Sequence, residues 1–458
     1  MGDNLFYKNK DYLLQGGNLR LKKDILDITE HAINAVIPYD KTKELISLSA
    51  KEMQIGNETF PVKEKTNFYF IGAGKGSFPI AQAIDEIFDK KVTKGIVIVK
   101  EGEQRPLKNI EVYESSHPLP DERSVIAAKK IISVLEDLTP DDYVIAAITG
   151  GSSSLVSLPP DEITIEDFRK TTKLLLESGA DIAKMNTVRR HLCLMKGGRF
   201  VLYSQPATLI TLTLDTAPPN MPWPDMSLAD LTTFSDALDV LHTYNLKNQV
   251  PESVIKYLNK GVKDPTLETV KSLDKMNHYL YKYCSPREVC LAAANKAQLL
   301  GYRPYILSST LEGEAKDLGI FLAGIANEIL TYKTPFEAPC ALISGGETTV
   351  TIKNGKGKGG PNQETAIGFA LKIKEGEPVC FVSADTDGTD GPSKIAGGLV
   401  DSETKQLADK LKIDLNYALN KNNSSVALKA LKSDIRTGHT GTNVMNLRIV
   451  LIGEREGN

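Results

Sequence analysis

From residue 67 onward, strand-like and helix-like segments alternate, and this alternation restricts the possible fold more than any other feature of the chain. Segments 67–71, 95–99, 109–114, 143–148 and 207–214 read as strands, and 77–90, 121–137 and 165–180 carry helical spacing. Such a series predicts a parallel sheet covered by helices on both sides. At 458 residues the chain is too long for one ordinary core, so a second domain is expected.

The first strand, Asn67-Phe68-Tyr69-Phe70-Ile71, runs straight into Gly72-Ala73-Gly74-Lys75-Gly76-Ser77. A turn of this kind leaves the backbone N–H groups of Gly74, Gly76 and Ser77 at a helix start, where phosphate oxygens can bind. Lys75 adds a mobile point charge. The turn is not a Walker loop, because Tyr69 occupies the first glycine position and Gly76 follows the lysine. Nor is it a dinucleotide fingerprint: Ser77 replaces the third glycine, and Lys100 precedes Glu101 after the next strand. The same residues also suit a plain strand-to-helix turn.

Thr149-Gly150-Gly151-Ser152-Ser153-Ser154 follows the strand at 143–148. Open sheets bind ligands beyond the carboxyl ends of their strands, and here two glycines permit close approach while Ser152 and Ser153 offer hydroxyls. A helix cap by one serine is the structural alternative. Asn186-Thr187-Val188-Arg189-Arg190-His191 and Lys196-Gly197-Gly198-Arg199 form a local basic cluster. Arg189 and Arg190 could each hold a carboxylate or phosphate through two parallel hydrogen bonds; for Lys196 and Arg199 a solvated helix face is the alternative. His117, between a strand and a helix, could touch ligand or simply sit in a turn capped by Asp121.

Residues 20–54 carry helical spacing. A proline-rich stretch, Ala217–Pro224, precedes helical patterns at 233–244 and 251–260, and the lysine-rich 256–275 reads as a connection. Beyond it come a helix near 286–300, a strand near 304–308 and a helix at 312–332. Strands are expected at 339–344, 347–353, 378–384 and 446–453, with helices at 362–372 and 402–410. The expected division is an N-terminal domain over 1–262 and a C-terminal α/β domain over 263–458, whose core covers 336–453.

The C-terminal third supplies carboxylates. Ser344-Gly345-Gly346-Glu347-Thr348 carries one, and Ser383-Ala384-Asp385-Thr386-Asp387-Gly388-Thr389-Asp390-Gly391-Pro392 carries three. Magnesium prefers one or two carboxylates with phosphate oxygens and water, so these loops suit a metal–nucleotide complex, with Glu347 and Asp390 as candidate ligands. An Asx-turn is the structural alternative for each aspartate. Gly355–Gly360 is a flexible basic loop before a helix start at Pro361-Asn362-Gln363-Glu364.

The bulk properties exclude several classes. A net charge of −3 gives no electrostatic case for nucleic acid or anionic membrane partners. No apolar run is long enough to span a bilayer. The five cysteines form no Cys-x-x-Cys pair, the six histidines show no zinc spacing, and Met1-Gly2-Asp3-Asn4-Leu5 has no signal-peptide character. A cytoplasmic protein with reduced thiols and a small-molecule substrate is expected, with homo-oligomerisation open.

Taken in order, these motifs resemble the glycerate 2-kinase family, whose C-terminal part is the MOFRL domain. The matching stretches are Gly72–Lys75, His117–Asp121, Thr149–Ser153, Asn186–Arg189, Lys196–Gly198, Leu311–Ala315, Ser344–Glu347, Gly359–Glu364, Thr386–Pro392 and Thr440–Val444. The resemblance implies ATP- and Mg2+-dependent phosphorylation of D-glycerate at its 2-hydroxyl. It also implies a Rossmann-like N-terminal domain, a smaller α/β C-terminal domain and an active site in the cleft between them. Lys75 resembles the family's catalytic lysine, and Asp387 is the candidate for orienting or deprotonating the hydroxyl. Two departures stand out. Pro361 occupies a position where the family usually has arginine, and Ser227-Leu228-Ala229-Asp230 stands where it usually has Ser-Gly-Pro-Thr. A different aldonic acid as acceptor, an NAD(P)-dependent hydroxypyruvate reductase, and a non-catalytic nucleotide or sugar-acid sensor are the alternative readings.

Overall fold

The computed structural model describes residues 6–102, 105–216, 223–353 and 355–454. They sort into two compact units: Pro38–Tyr283, and the residues up to Ile37 together with those from Cys284 onward.

The inserted unit begins with a small antiparallel sheet of β1 (Ile46–Leu48), β2 (Glu52–Ile55) and β3 (Glu58–Pro61). Its main sheet contains β4 (Phe68–Ala73), β5 (Val92–Lys100), β6 (Glu111–Ser115), β7 (Tyr143–Ile148), β8 (Thr208–Leu214) and β9 (His278–Tyr283). The order is β6-β5-β4-β7-β8-β9 and every pairing is parallel. This is the doubly wound Rossmann order. β4 and β7 are buried at every position, as strands covered on both faces must be. Ile71, Ile98, Val144 and Ile148 pack with Ile131 of the helix Glu122–Val134 and Phe168 of the helix Ile165–Glu177. Each such side chain contributes about 1.5–3 kcal/mol of burial.

The second unit holds a mixed sheet of β10 (Arg303–Ser308), β11 (Cys340–Gly346), β12 (Val379–Asp385), β13 (Gly397–Asp401), β14 (Asp434–Ile435) and β15 (Asn446–Ile452). Its order is β10-β11-β15-β12-β13-β14, parallel only between β10 and β11. Helices Ala315–Tyr332 and Pro361–Lys372 share its core, where Phe369 stacks on Phe381 at 4.4 Å.

The division differs from the expected boundary at 262/263. β9 completes the parallel sheet beside β8, which carries the inserted unit to Tyr283. The helix Leu19–Asn34 belongs instead with the chain's second half: Asp24 accepts from the Tyr302 hydroxyl at 2.6 Å, and Lys22 pairs with Asp401 at 3.1 Å. Segment 46–55 is not helical, because exposed Glu52 and Gln54 alternate with buried Met53 and Ile55. The strand expected at 347–353 is absent; Thr349 makes only an isolated bridge to Glu314. Of the Ala217–Pro224 stretch, 217–222 lie outside the described residues, as do Met1–Leu5. Among the described residues no helix is long and apolar enough to cross a membrane, and the five cysteines are buried without a disulfide.

Candidate active site

Rossmann order places β4 and β7 side by side, with Ala73 opposite Ile148, at the point where the strand order reverses. The two loops that follow are knitted together. Thr149 N donates to Ala73 O at 2.9 Å, Lys75 N to Gly150 O at 2.7 Å and Gly76 N to the Thr149 hydroxyl at 3.0 Å. Gly74 N donates to Ile98 O and Ser77 N to Gly74 O, while the buried Ser77 hydroxyl donates to Gly74 O at 2.7 Å. The amides of Gly74, Gly76 and Ser77 are therefore engaged within the protein rather than open to phosphate. These three residues shape the turn. Gly74 is required there, since at φ +122° a Cβ would lie 2.3 Å from Thr149 O.

What this knot presents is the Lys75 side chain, which is exposed, and the loop Gly150–Ser153. The amides of Gly150 and Gly151 take no part in the bonds just described. Gly151 adopts φ +91°, and a Cβ on it would fall 3.2 Å from the His117 ring and 3.5 Å from Lys75 Cγ. Burial pushes the His117 imidazole down to about 4, with Lys75, Lys100 and Arg189 adding repulsion, so the ring is neutral at physiological pH. Arg189, buried, donates from Nη2 to Ser153 O at 3.2 Å and from Nη1 toward Asn186 Oδ1 at 3.4 Å. The Ser152 and Ser153 hydroxyls are buried with no hydrogen-bond partner among the described residues. Lys75, His117, Gly151, Ser153, Asn186 and Arg189 thus form one neighbourhood.

Arg190 does not join it. Its Nη1 meets Asp230 at 3.3 Å, with both side chains almost fully buried. Lys196 and Arg199 are not on a solvated face either; both are buried, Lys196 Nζ on Ser153 O and Arg199 on three backbone carbonyls.

In the other unit, the antiparallel register aligns Gly346 of β11, Asn446 of β15 and Asp385 of β12 at one sheet end. Glu347 follows β11 and is exposed. Asp385 Oδ1 accepts the backbone N–H of Asp387 at 3.0 Å, and Asp387 Oδ1 accepts the amide and hydroxyl of Thr389, both at 2.7 Å. Burial, then the Asp387, Glu347 and Asp390 charges, raise the Asp385 carboxyl well above the ordinary aspartate range. Burial therefore favours the protonated form of Asp385, which shares this turn with the Asp387 carboxyl.

Asp390 is turned away from any metal. Its oxygens accept the backbone N–H groups of Asn362 and Gln363, at 3.0 and 2.9 Å, and both side-chain amides, at 3.1 and 2.9 Å. It is fully buried and fastens the start of the helix Pro361–Lys372. Asn362 and Gln363 also reach Asn446 and Ser393, and Glu364 takes Asn422. Sequence reasoning also passed over Arg448 in mid-β15, fully buried, whose Nη2 donates to Thr348 at 2.8 Å, facing Glu347, Asp385 and Asp390. The signal was present: an arginine flanked by apolar residues in a buried strand needs a partner of opposite charge.

Among the described residues no group of three or more His, Cys, Asp or Glu side chains is arranged to hold a metal ion. Magnesium does not require one, because one or two carboxylates suffice when phosphate oxygens and water fill its octahedron. Asp390, sealed by four donors, is not available for that role, whereas Glu347 is exposed beside the same sheet end.

A Rossmann-ordered sheet with a lysine over a glycine loop at its switch point, joined in one chain to a mixed sheet ending in paired carboxyls, defines a two-unit α/β enzyme class. Residues 24–259 match a domain family described as DUF4147, a domain of unknown function, and residues 340–446 match the MOFRL family. The glycerate 2-kinase of Pyrococcus horikoshii is 39% identical over 94% of this chain and 97% of its own. The crystal structure of glycerate kinase from Thermotoga maritima superposes with a TM-score of 0.82 at 34% identity, over 95% of this chain and 100% of that one. An Agrobacterium vitis protein whose name proposes a hydroxypyruvate reductase is 36% identical over 86% of this chain and 89% of its own. The chain belongs to the glycerate 2-kinase family.

Proposed function

We propose that this protein transfers the γ-phosphoryl group of ATP to D-glycerate at its 2-hydroxyl, giving 2-phosphoglycerate, with magnesium as the metal. The observation that carries the reading is the exposed Lys75 side chain lying along Gly151 at the switch point of the parallel sheet. Phosphoryl transfer depends on positioning and charge neutralisation, which a lysine beside two glycines supplies to phosphate oxygens. The Gly150 and Gly151 amides and the Ser152 and Ser153 hydroxyls are the phosphate contacts, with Arg189 behind them. Asp387 accepts the proton of the acceptor hydroxyl as its oxygen bonds to phosphorus and the bond from phosphorus to the leaving ADP oxygen breaks. Magnesium, for which Glu347 is the candidate ligand, would neutralise charge on the phosphates.

A longer aldonic acid is the second reading, and Pro361 favours it. The residue sits at the first position of the helix Pro361–Lys372, where proline is well tolerated but offers no cation to an acceptor carboxylate. Reduction with NAD(P)H is disfavoured because the turn after β4 spends its amides internally and carries Ser77 in place of a third glycine.

Coupled measurement of ADP formation with D-glycerate and longer aldonic acids, with mass analysis of the product, tests the assignment. D-Glycerate as preferred acceptor supports it. Nucleotide binding without ADP release on any acceptor leaves only a sensor, and NADH oxidation with hydroxypyruvate at catalytic rates overturns the kinase reading.

A further inference from the structure

Beneath the Gly150–Ser153 loop lies a group of buried charges, two of which, Lys196 and Asp225, have no part in the proposed chemistry. Lys196 is fully buried, and its Nζ donates to Ser153 O at 2.6 Å and faces the Ser157 hydroxyl at 3.5 Å. The same Ser153 carbonyl accepts from Arg189 Nη2 at 3.2 Å. Two cations on different segments therefore converge on one peptide oxygen. Asp225 is 2% exposed, and neither of its carboxylate oxygens has a hydrogen-bond partner among the described residues. Arg189 Nε and the Ser152 and Ser153 hydroxyls are likewise buried without partners.

The charges do not cancel. Arg190 is matched by Asp230, which leaves Lys196 and Arg189 against the single carboxylate of Asp225. Buried charge in excess is costly unless something of opposite sign arrives, and a buried polar atom without a partner is costly for the same reason. The glycine loop directly above is where an anion would supply the missing charge.

We propose that Lys196 is a positioning residue for phosphate binding: through the Ser153 carbonyl it fixes the Gly150–Ser153 loop and leaves beneath it a net positive charge that a bound polyphosphate neutralises. This rests on the kinase reading and names the buried group that prepares its nucleotide site. Burial draws the Lys196 ammonium down to about 8, with Arg189 and Arg190 lowering it further and Cys193 and Asp225 opposing them. Helix Ile165–Glu177 contributes the Phe168 ring, 5.3 Å from Nζ. The ammonium is charged below that pH and neutral above it, so nucleotide affinity falls as pH rises through it.

Calorimetric titration of the full chain with MgADP, at pH 7 and pH 9.5, tests this directly. The wild-type Kd is expected to rise at least fivefold between the two values, and Lys196→Met to weaken binding about tenfold at pH 7. Lys196→Arg, which keeps its charge, is expected to hold affinity constant across the range. Steady-state rates of Lys196→Met should show a raised KM for ATP with kcat within about threefold of wild type. Thermal unfolding of both variants identifies misfolding, and the wild-type pH series needs no variant. Wild-type binding that does not change with pH, or Lys196→Met binding within twofold of wild type, overturns the inference while leaving the kinase reading standing. A wild-type chain that binds no nucleotide overturns both.

Discussion

The backbone amide of Asp387 donates to the Asp385 carboxylate at 3.0 Å, which ties the Asp385 side chain to the turn that carries Asp387. Because burial and the neighbouring charges keep the Asp385 carboxyl toward its protonated form, an amide in its place reproduces both shape and charge. Asp385→Asn is therefore expected to retain activity within about tenfold. Asp387→Asn removes the proton acceptor and is expected to lower kcat about 10²- to 10⁴-fold, the usual range for a lost general base. Comparison of kcat for the two variants at pH 7.5 checks the assignment; equal losses would remove the distinction between them.

Lys75 is exposed, in a turn whose hydrogen bonds are made by backbone groups and the Thr149 and Ser77 hydroxyls. Lys75→Ala should leave the unfolding midpoint within a few degrees of wild type while kcat/KM falls about 10²-fold or more, as expected when a charge facing the transferring group is lost. A variant of near-wild-type activity would take Lys75 out of the chemistry.

Asp390 serves the fold. Substitution by alanine strands the backbone N–H groups of Asn362 and Gln363 at the start of a buried helix, while their side-chain amides keep Asn446 and Ser393, and a loss of about 2–5 kcal/mol is expected from two buried donors left unpaired. Urea denaturation of Asp390→Ala measures it. Retained stability with lost activity would restore the metal role that the sequence suggested for this residue.

His117 and His278 are both pushed down to about 4 by burial. In the unfolded chain each titrates near 6.5, so between these values the unfolded state binds more protons than the native one. Stability should consequently fall as pH drops from about 6.5 toward 4 and level off below that. Denaturant midpoints at pH 7, 6, 5 and 4 follow this, and replacing His117 with glutamine should flatten part of the decline.

The parallel sheet was legible because strands buried on both faces read as unbroken apolar runs, as in Tyr143–Ile148. The site was legible in its loops and less so in its atoms. Nothing local to the turn after β4 reveals that its amides are taken, since the Thr149 hydroxyl that takes one of them stands 73 residues away. Asp387 and Asp390 look equivalent in a row of Asp, Gly and Thr; only the packing of the helix Pro361–Lys372 against the turn separates them. Lys196 was hidden for the same reason, because a lysine beside two glycines suggests solvent until Ser153 and Phe168 are brought over it.

The helix Leu19–Asn34 is bound to Tyr302 and Asp401, partners the ribosome delivers only much later. By then the whole of Pro38–Tyr283 has left the exit tunnel, able to collapse around its own local pairings. Helix Leu19–Asn34 must therefore wait with its apolar side uncovered, and newborn chains truncated before residue 400 should be the ones that chaperones hold.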